Sequence, residues 1–89
     1  MDAESIRQAV FAALRPIAPE ATPDEIQGDV PLRDQIDLDS MDFLHFVLAL
    51  HDRLGIDIPE SDYAQLTTID AIVGYLHQRL RAGDSPASA

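Results

Sequence analysis

Eighty-nine residues point to one domain, and 46% hydrophobic content suffices for a compact core rather than a disordered chain. Sixteen acidic side chains stand against six basic ones, for a net charge of −10. That is the wrong sign for a nucleic-acid or anionic-membrane binder and suits partners with basic patches. No cysteine is present, which excludes a disulfide scaffold, a thiolate zinc site and a cysteine nucleophile.

The opening "MDAESIRQAV" has neither the basic start nor the apolar run of a signal peptide. No stretch approaches the roughly 18 apolar residues of a membrane span. A soluble cytoplasmic monomer is therefore expected.

In "AESIRQAVFAAL", Ile6, Val10, Ala13 and Leu14 share one helical face, and Arg15 before Pro16 places the helix end near Leu14. A long connection, 17–39, follows with Pro19, Pro23, Gly28 and Pro31. Its Ile26, Val30, Leu32 and Ile36 are expected to tuck under the bundle. Loops of this length in small domains are usually functional. The second helix runs from Ser40 to Leu54 and stops at Gly55, a favoured helix-ending residue. A short helical turn is expected around Ser61–Leu66. The last helix, in "TTIDAIVGYLHQRL", aligns Ile69, Ile72, Val73, Leu76 and Leu80, with Thr68 as N-cap. The fold class is all-α: a small four-helix bundle, three main helices plus one short one, with a long loop between the first two. The domain spans 1–82, and 83–89 reads as a disordered tail.

The chemistry concentrates in "QIDLDSMDFLHF", where Asp37, Asp39 and Asp42 surround Ser40. Serine is a preferred N-cap, and on local chemistry alone a plain cap is the favoured reading of Ser40. Alternatively Asp39 caps, Asp42 falls at N3 and returns a bond, and the Ser40 hydroxyl faces solvent. A calcium loop starting at Asp37 would need Gly and Glu where Asp42 and Leu48 stand. His45 and His51 lack the i, i+4 spacing of a metal pair. Ser40 has no glycine-flanked elbow of a serine hydrolase, so catalysis by this chain is not expected.

Phe43, Phe46, Val47, Leu50 and Leu54 fill an arc of roughly 100°, enough for a core face. Met41, Leu44 and Leu48 make a second apolar stripe roughly 120–160° away. Either the loop or the short helix covers this stripe, or it is an exposed patch that marks a partner site.

"LDSMDFLHFVLALHDRLGIDIPESDYAQLTTIDAIVGYL" resembles the acyl carrier protein family. An Asp-Ser-Met triplet opens a long hydrophobic helix, "IP" follows it, and a Thr-capped helix ends the domain. The resemblance extends from Ile6 to Leu80. It implies that Ser40, with Asp39 before it, carries covalent 4′-phosphopantetheine derived from CoA, whose thiol holds acyl groups as thioesters. The chain is then a free-standing carrier, not an enzyme. It shuttles acyl intermediates in fatty acid, polyketide or specialised lipid biosynthesis. Aminoacyl or peptidyl carriage, or a non-carrier helical interaction module, is the alternative. The implied partners are a phosphopantetheinyl transferase and an acyl-ACP synthetase or other acyl-transfer enzymes. Their basic docking patches would meet Asp37, Met41, Asp42, Leu44 and Leu48. The sequence departs from the family pattern in three places. Ile36-Asp37 replaces Leu-Gly, His45 and His51 replace frequent glutamates, and Phe43 replaces a smaller, more polar residue, reshaping the space for an acyl chain.

Overall fold

A computed structural model describes residues 2–81, and all regular structure among them is helical. Helix α1 spans Ala3–Leu14, α2 Leu32–Gln35, α3 Ser40–Leu54 and α4 Ile69–Arg81; a 3₁₀ helix covers Glu60–Gln65. The expected tail 83–89 lies outside the described residues.

Each long helix begins for a local reason. Asp2 caps α1, its Oδ1 accepting from the Ser5 N–H at 2.8 Å. Thr68 Oγ1 accepts from the Ala71 N–H at 3.0 Å at the start of α4. Gly55 closes α3 at φ 68°, in the left-handed region that a side chain resists. These boundaries match the sequence expectation.

Helix α1 packs against both α3 and α4, and α4 also meets the 3₁₀ helix. Ile6, Val10 and Leu14 of α1 interlock with Phe46 and Leu50 of α3 and with Ile69, Ile72 and Leu76 of α4, all fully buried. Among the described residues no polar or charged residue is buried, so the core carries no desolvation cost from such groups. Val73 and Leu80 lie only partly buried at the edge of this core.

The long connection departs from the expectation of a plain loop. A single turn, α2, forms within it because Leu32 is buried and anchors that turn, while the Leu32 N–H donates to the Thr67 carbonyl at 2.9 Å. Two short helical elements therefore accompany the three long helices, where one was expected. Ile26, Leu32 and Ile36 do reach the core. Val30 stays only half-buried; its carbonyl accepts from the Gln35 side-chain amide, which also bonds both backbone groups of Gln27. Further along, the Gly28 carbonyl accepts from the Asp70 N–H at 3.0 Å. A Cβ at Gly28 would stand 2.5 Å from Asp70 Oδ1, so a side chain there would require the exposed Asp70 carboxylate to move.

The two apolar faces of α3 differ in fate. Met41 is 58% exposed and Leu48 50%, with Leu44 at 36%, so neither the loop nor the 3₁₀ helix covers the second stripe. Leu50→Ala should therefore cost about 2–5 kcal/mol, through lost transfer energy and the cavity left behind. Leu48→Ala should stay within about 0.5 kcal/mol of the native chain. Paired urea unfolding curves check this, and equal losses at the two positions would place Leu48 in the core.

Candidate functional site

At the start of α3 the two cap readings are decided. Asp39 is extended, with φ −87° and ψ −178°, and its Oδ1 accepts from the Asp42 N–H at 2.8 Å. Asp42 Oδ2 accepts in return from the Asp39 N–H at 3.4 Å. The favoured reading of Ser40 as the plain cap is thus corrected. A carboxylate brings a full negative charge to the positive helix end, and the reciprocal bond from Asp42 is one a serine cap would leave to a different N3 residue. Ser40 falls at the first helical position, exposed, its hydroxyl without a hydrogen-bond partner among the described residues.

Beside Ser40 opens a cavity of about 570 Å³. Its walls come from α2 (Leu32, Arg33), Leu38, α3 (Phe43, Leu44), the 3₁₀ helix (Glu60, Tyr63, Ala64) and the strap that follows it (Leu66, Thr67). Phe43 lies in the middle of this wall. Its ring stands edge-on to Tyr63, centroids 5.7 Å apart, and tilted against Phe46 at 6.3 Å. The Arg33 guanidinium carbon sits 5.8 Å from the Phe43 centroid.

The 3₁₀ wall is pinned from behind. The Tyr75 hydroxyl donates to Asp62 Oδ2, and Arg79 donates both to that hydroxyl and, at 2.8 Å, to the Asp57 carbonyl. Burial pushes the Tyr75 phenol above its ordinary range, and its bond to the Asp62 carboxylate acts in the same direction.

The expected site residues distribute as follows. Ser40, Asp39 and Asp42 come together at the helix start, and Leu44 lines the cavity beside Ser40. Met41 and Leu48 lie on the exposed stripe, and Asp37 is exposed in the extended approach to α3. His51 lies at the far end of α3, its Nδ1 2.9 Å from the Ile56 carbonyl. Sequence reasoning passed over Leu38, Arg33 and Tyr63. For Leu38 a signal existed: in "IDLD" Ile36 and Leu38 are buried while Asp37 and Asp39 are exposed, the period-2 alternation of an extended segment. Arg33 and Tyr63 reach the cavity only through the fold.

An unbonded hydroxyl on a helix N-terminus, over an apolar cavity and ringed by carboxylates, suits a chain that holds a covalently attached group. The comparisons with known proteins agree. The family model described as the phosphopantetheine attachment site matches residues 8–76. The chain is 30% identical over 86 residues to the meromycolate extension acyl carrier protein of Mycolicibacterium aurum, covering 93% of this chain and 88% of that one. It is 31% identical over 84 residues to an acyl carrier protein of Rhodococcus erythropolis, covering 91% of each. A shorter match, 36% over 53 residues, links it to an acyl carrier protein of Lactobacillus johnsonii, covering 60% of this chain and 66% of that one. The chain belongs to the acyl carrier protein family, and its cofactor is covalently attached 4′-phosphopantetheine.

The cap assignment separates two neighbouring residues. Asp39→Ala should lower stability by about 0.5–2 kcal/mol, the usual cost of losing a cap. Ser40→Ala, at an exposed first-turn position, should be nearly neutral in the same denaturation assay.

The Tyr75 bridge gives a pH signature. Its folded pKa is raised, so its contribution is fully present below the unfolded value near about 10 and is lost as pH rises through the folded value. The chain has no lysine and only one other tyrosine, which leaves the alkaline range uncrowded. Unfolding free energy should fall as pH rises above about 10, and Tyr75→Phe should flatten that fall. An unchanged slope in the variant would remove the bridge from the account.

Proposed function

We propose that Ser40 is the attachment residue of 4′-phosphopantetheine and that the chain shuttles thioester-bound acyl intermediates between the enzymes of a biosynthetic pathway for fatty acids, polyketides or specialised lipids. The observation that carries this reading is the free hydroxyl of Ser40, released by the Asp39–Asp42 cap and set at the rim of the cavity. The residues present fit the group. In loading, Ser40 Oγ gives up its proton to the transferase and forms the new bond to phosphorus as a P–O bond of the coenzyme A pyrophosphate breaks and adenosine 3′,5′-bisphosphate leaves. The backbone N–H groups of Ser40 and Met41, which lack a partner at the helix start, would be the donors that hold the phosphodiester. The helix dipole adds about 0.3–1 kcal/mol to holding that anion. The bound group supplies a thiol for the acyl thioester, and the chain itself serves as a substrate for partner enzymes.

Negative charge near Ser40 repels a phosphodiester, so its use is outward. Asp37 is exposed and makes no ion pair within 4.0 Å among the described residues, leaving its charge to steer partners with basic patches, a phosphopantetheinyl transferase first among them. Met41, Leu44 and Leu48 supply the apolar anchors of the same docking face, where burial rather than charge sets residence time. The relatives' names support a carrier role of this kind.

Incubation with coenzyme A and a phosphopantetheinyl transferase, followed by intact mass measurement, tests the reading. The native chain should gain one phosphopantetheine and Ser40→Ala none. Leu48→Ala should reach the same final mass more slowly. Modification of Ser40→Ala, or none of the native chain, would overturn the assignment.

A further inference from the structure

Arg33 is the one cation on the cavity wall that holds Ser40, and its surroundings are unusual for this chain. It lies in sequence among Asp29, Asp34, Asp37, Asp39 and Asp42. Arg7 and Arg79 each approach a carboxylate, at 4.0 and 3.7 Å. Arg33, with carboxylates on both sides in sequence, has none within 4.0 Å among the described residues, and it is exposed. Its guanidinium instead rests over Phe43, whose ring is braced by Tyr63. Stacking on an aromatic face orders a long side chain without using its N–H donors, which are five in a planar fork matched to phosphate and carboxylate oxygens. The result is a positioned cation with unused donors at the mouth of an apolar cavity, within the surface shared with Ser40.

We propose that Arg33, seated on Phe43, is an oxyanion-binding subsite of this cavity. It takes an anionic oxygen presented at the mouth, either on the phosphodiester at Ser40 or as a carboxylate at the end of the acyl group. The proposal rests on Ser40 being the attachment residue. Both sources share one chemistry, a charge-assisted bond from the guanidinium fork to an oxyanion. They differ in consequence. With the phosphodiester, Arg33 orients the arm toward the cavity. With the carboxylate, it favours carboxyacyl loads over plain alkyl ones, for which a charged rim offers nothing. Among the described residues no carboxylate, Glu60 of the same wall included, pairs with Arg33 within 4.0 Å.

Nuclear magnetic resonance of the full ¹⁵N-labelled chain tests this. The solvent exchange of the Arg33 Nε–H would be followed in four forms: unmodified, phosphopantetheinylated, loaded with a saturated acyl group, and loaded with an acyl group ending in a carboxylate. Intact mass of each sample reports attachment independently. Exchange at Arg33 should slow about two- to fivefold, the range matching an exposed ion pair, while Arg7 stays constant. Slowing on phosphopantetheinylation identifies the phosphodiester as the source, and slowing only with the carboxyacyl load identifies the acyl group. Full mass gain with no slowing in any form overturns the subsite and leaves Ser40 in place. Absence of mass gain overturns both.

Discussion

The reciprocal pair between Asp39 and Asp42 is the constraint on which the site depends. Two side chains three residues apart satisfy two backbone N–H groups at the start of α3 and fix the angle at which the chain enters the helix. With the cap supplied by carboxylates, the intervening serine has no structural duty. Its hydroxyl can be exposed, reactive and replaceable by a phosphodiester without costing the helix its cap. Were Ser40 the cap, modification would remove the bond that starts the longest helix, and loading would work against stability.

The same arrangement places charge at odds with itself. An anion attached to Ser40 is favoured by the helix dipole and disfavoured by its aspartate neighbours. The carboxylates divide into two roles, with Asp39 and Asp42 turned inward to backbone N–H groups while Asp37 stays exposed. Arg33, over the Phe43 ring, is the one positive side chain on this cavity wall. Behind the cavity, Tyr75, Asp62 and Arg79 fix the opposite wall, so the rim residues on α3 face a positioned surface. Stability and recognition thereby use different faces of α3. Phe46, Val47 and Leu50 hold the bundle, while Met41, Leu44 and Leu48 stay available.

The long helices were legible from sequence because their signals are local: Pro16 after the first, Gly55 ending the second, Thr68 before the last, and a sustained apolar period in each. Ser40 was legible as a singular hydroxyl, and Asp39 with Asp42 as a competing cap. The balance between these caps was not legible, since both are good local solutions. Helix α2 escaped notice because four residues around one buried leucine carry no periodicity; the carbonyl of Thr67, far along the chain, helps hold it. The cavity escaped for the same reason. Its walls join Arg33, Phe43, Tyr63 and Leu66, which only the folded bundle brings together.

The central claim, that the Asp39–Asp42 pair frees the Ser40 hydroxyl for modification, is tested most directly by loading kinetics at high salt, where steering by charge is screened. Asp39→Asn retains a good cap without the charge, and Asp39→Ala removes the cap and invites Ser40 to replace it. The account predicts that the asparagine variant is phosphopantetheinylated at close to the native rate. The alanine variant should be slower by roughly fivefold, the equivalent of about 1 kcal/mol of capping energy now drawn from Ser40. An alanine variant loaded as fast as the native chain, or an asparagine variant as slow as the alanine one, would contradict it.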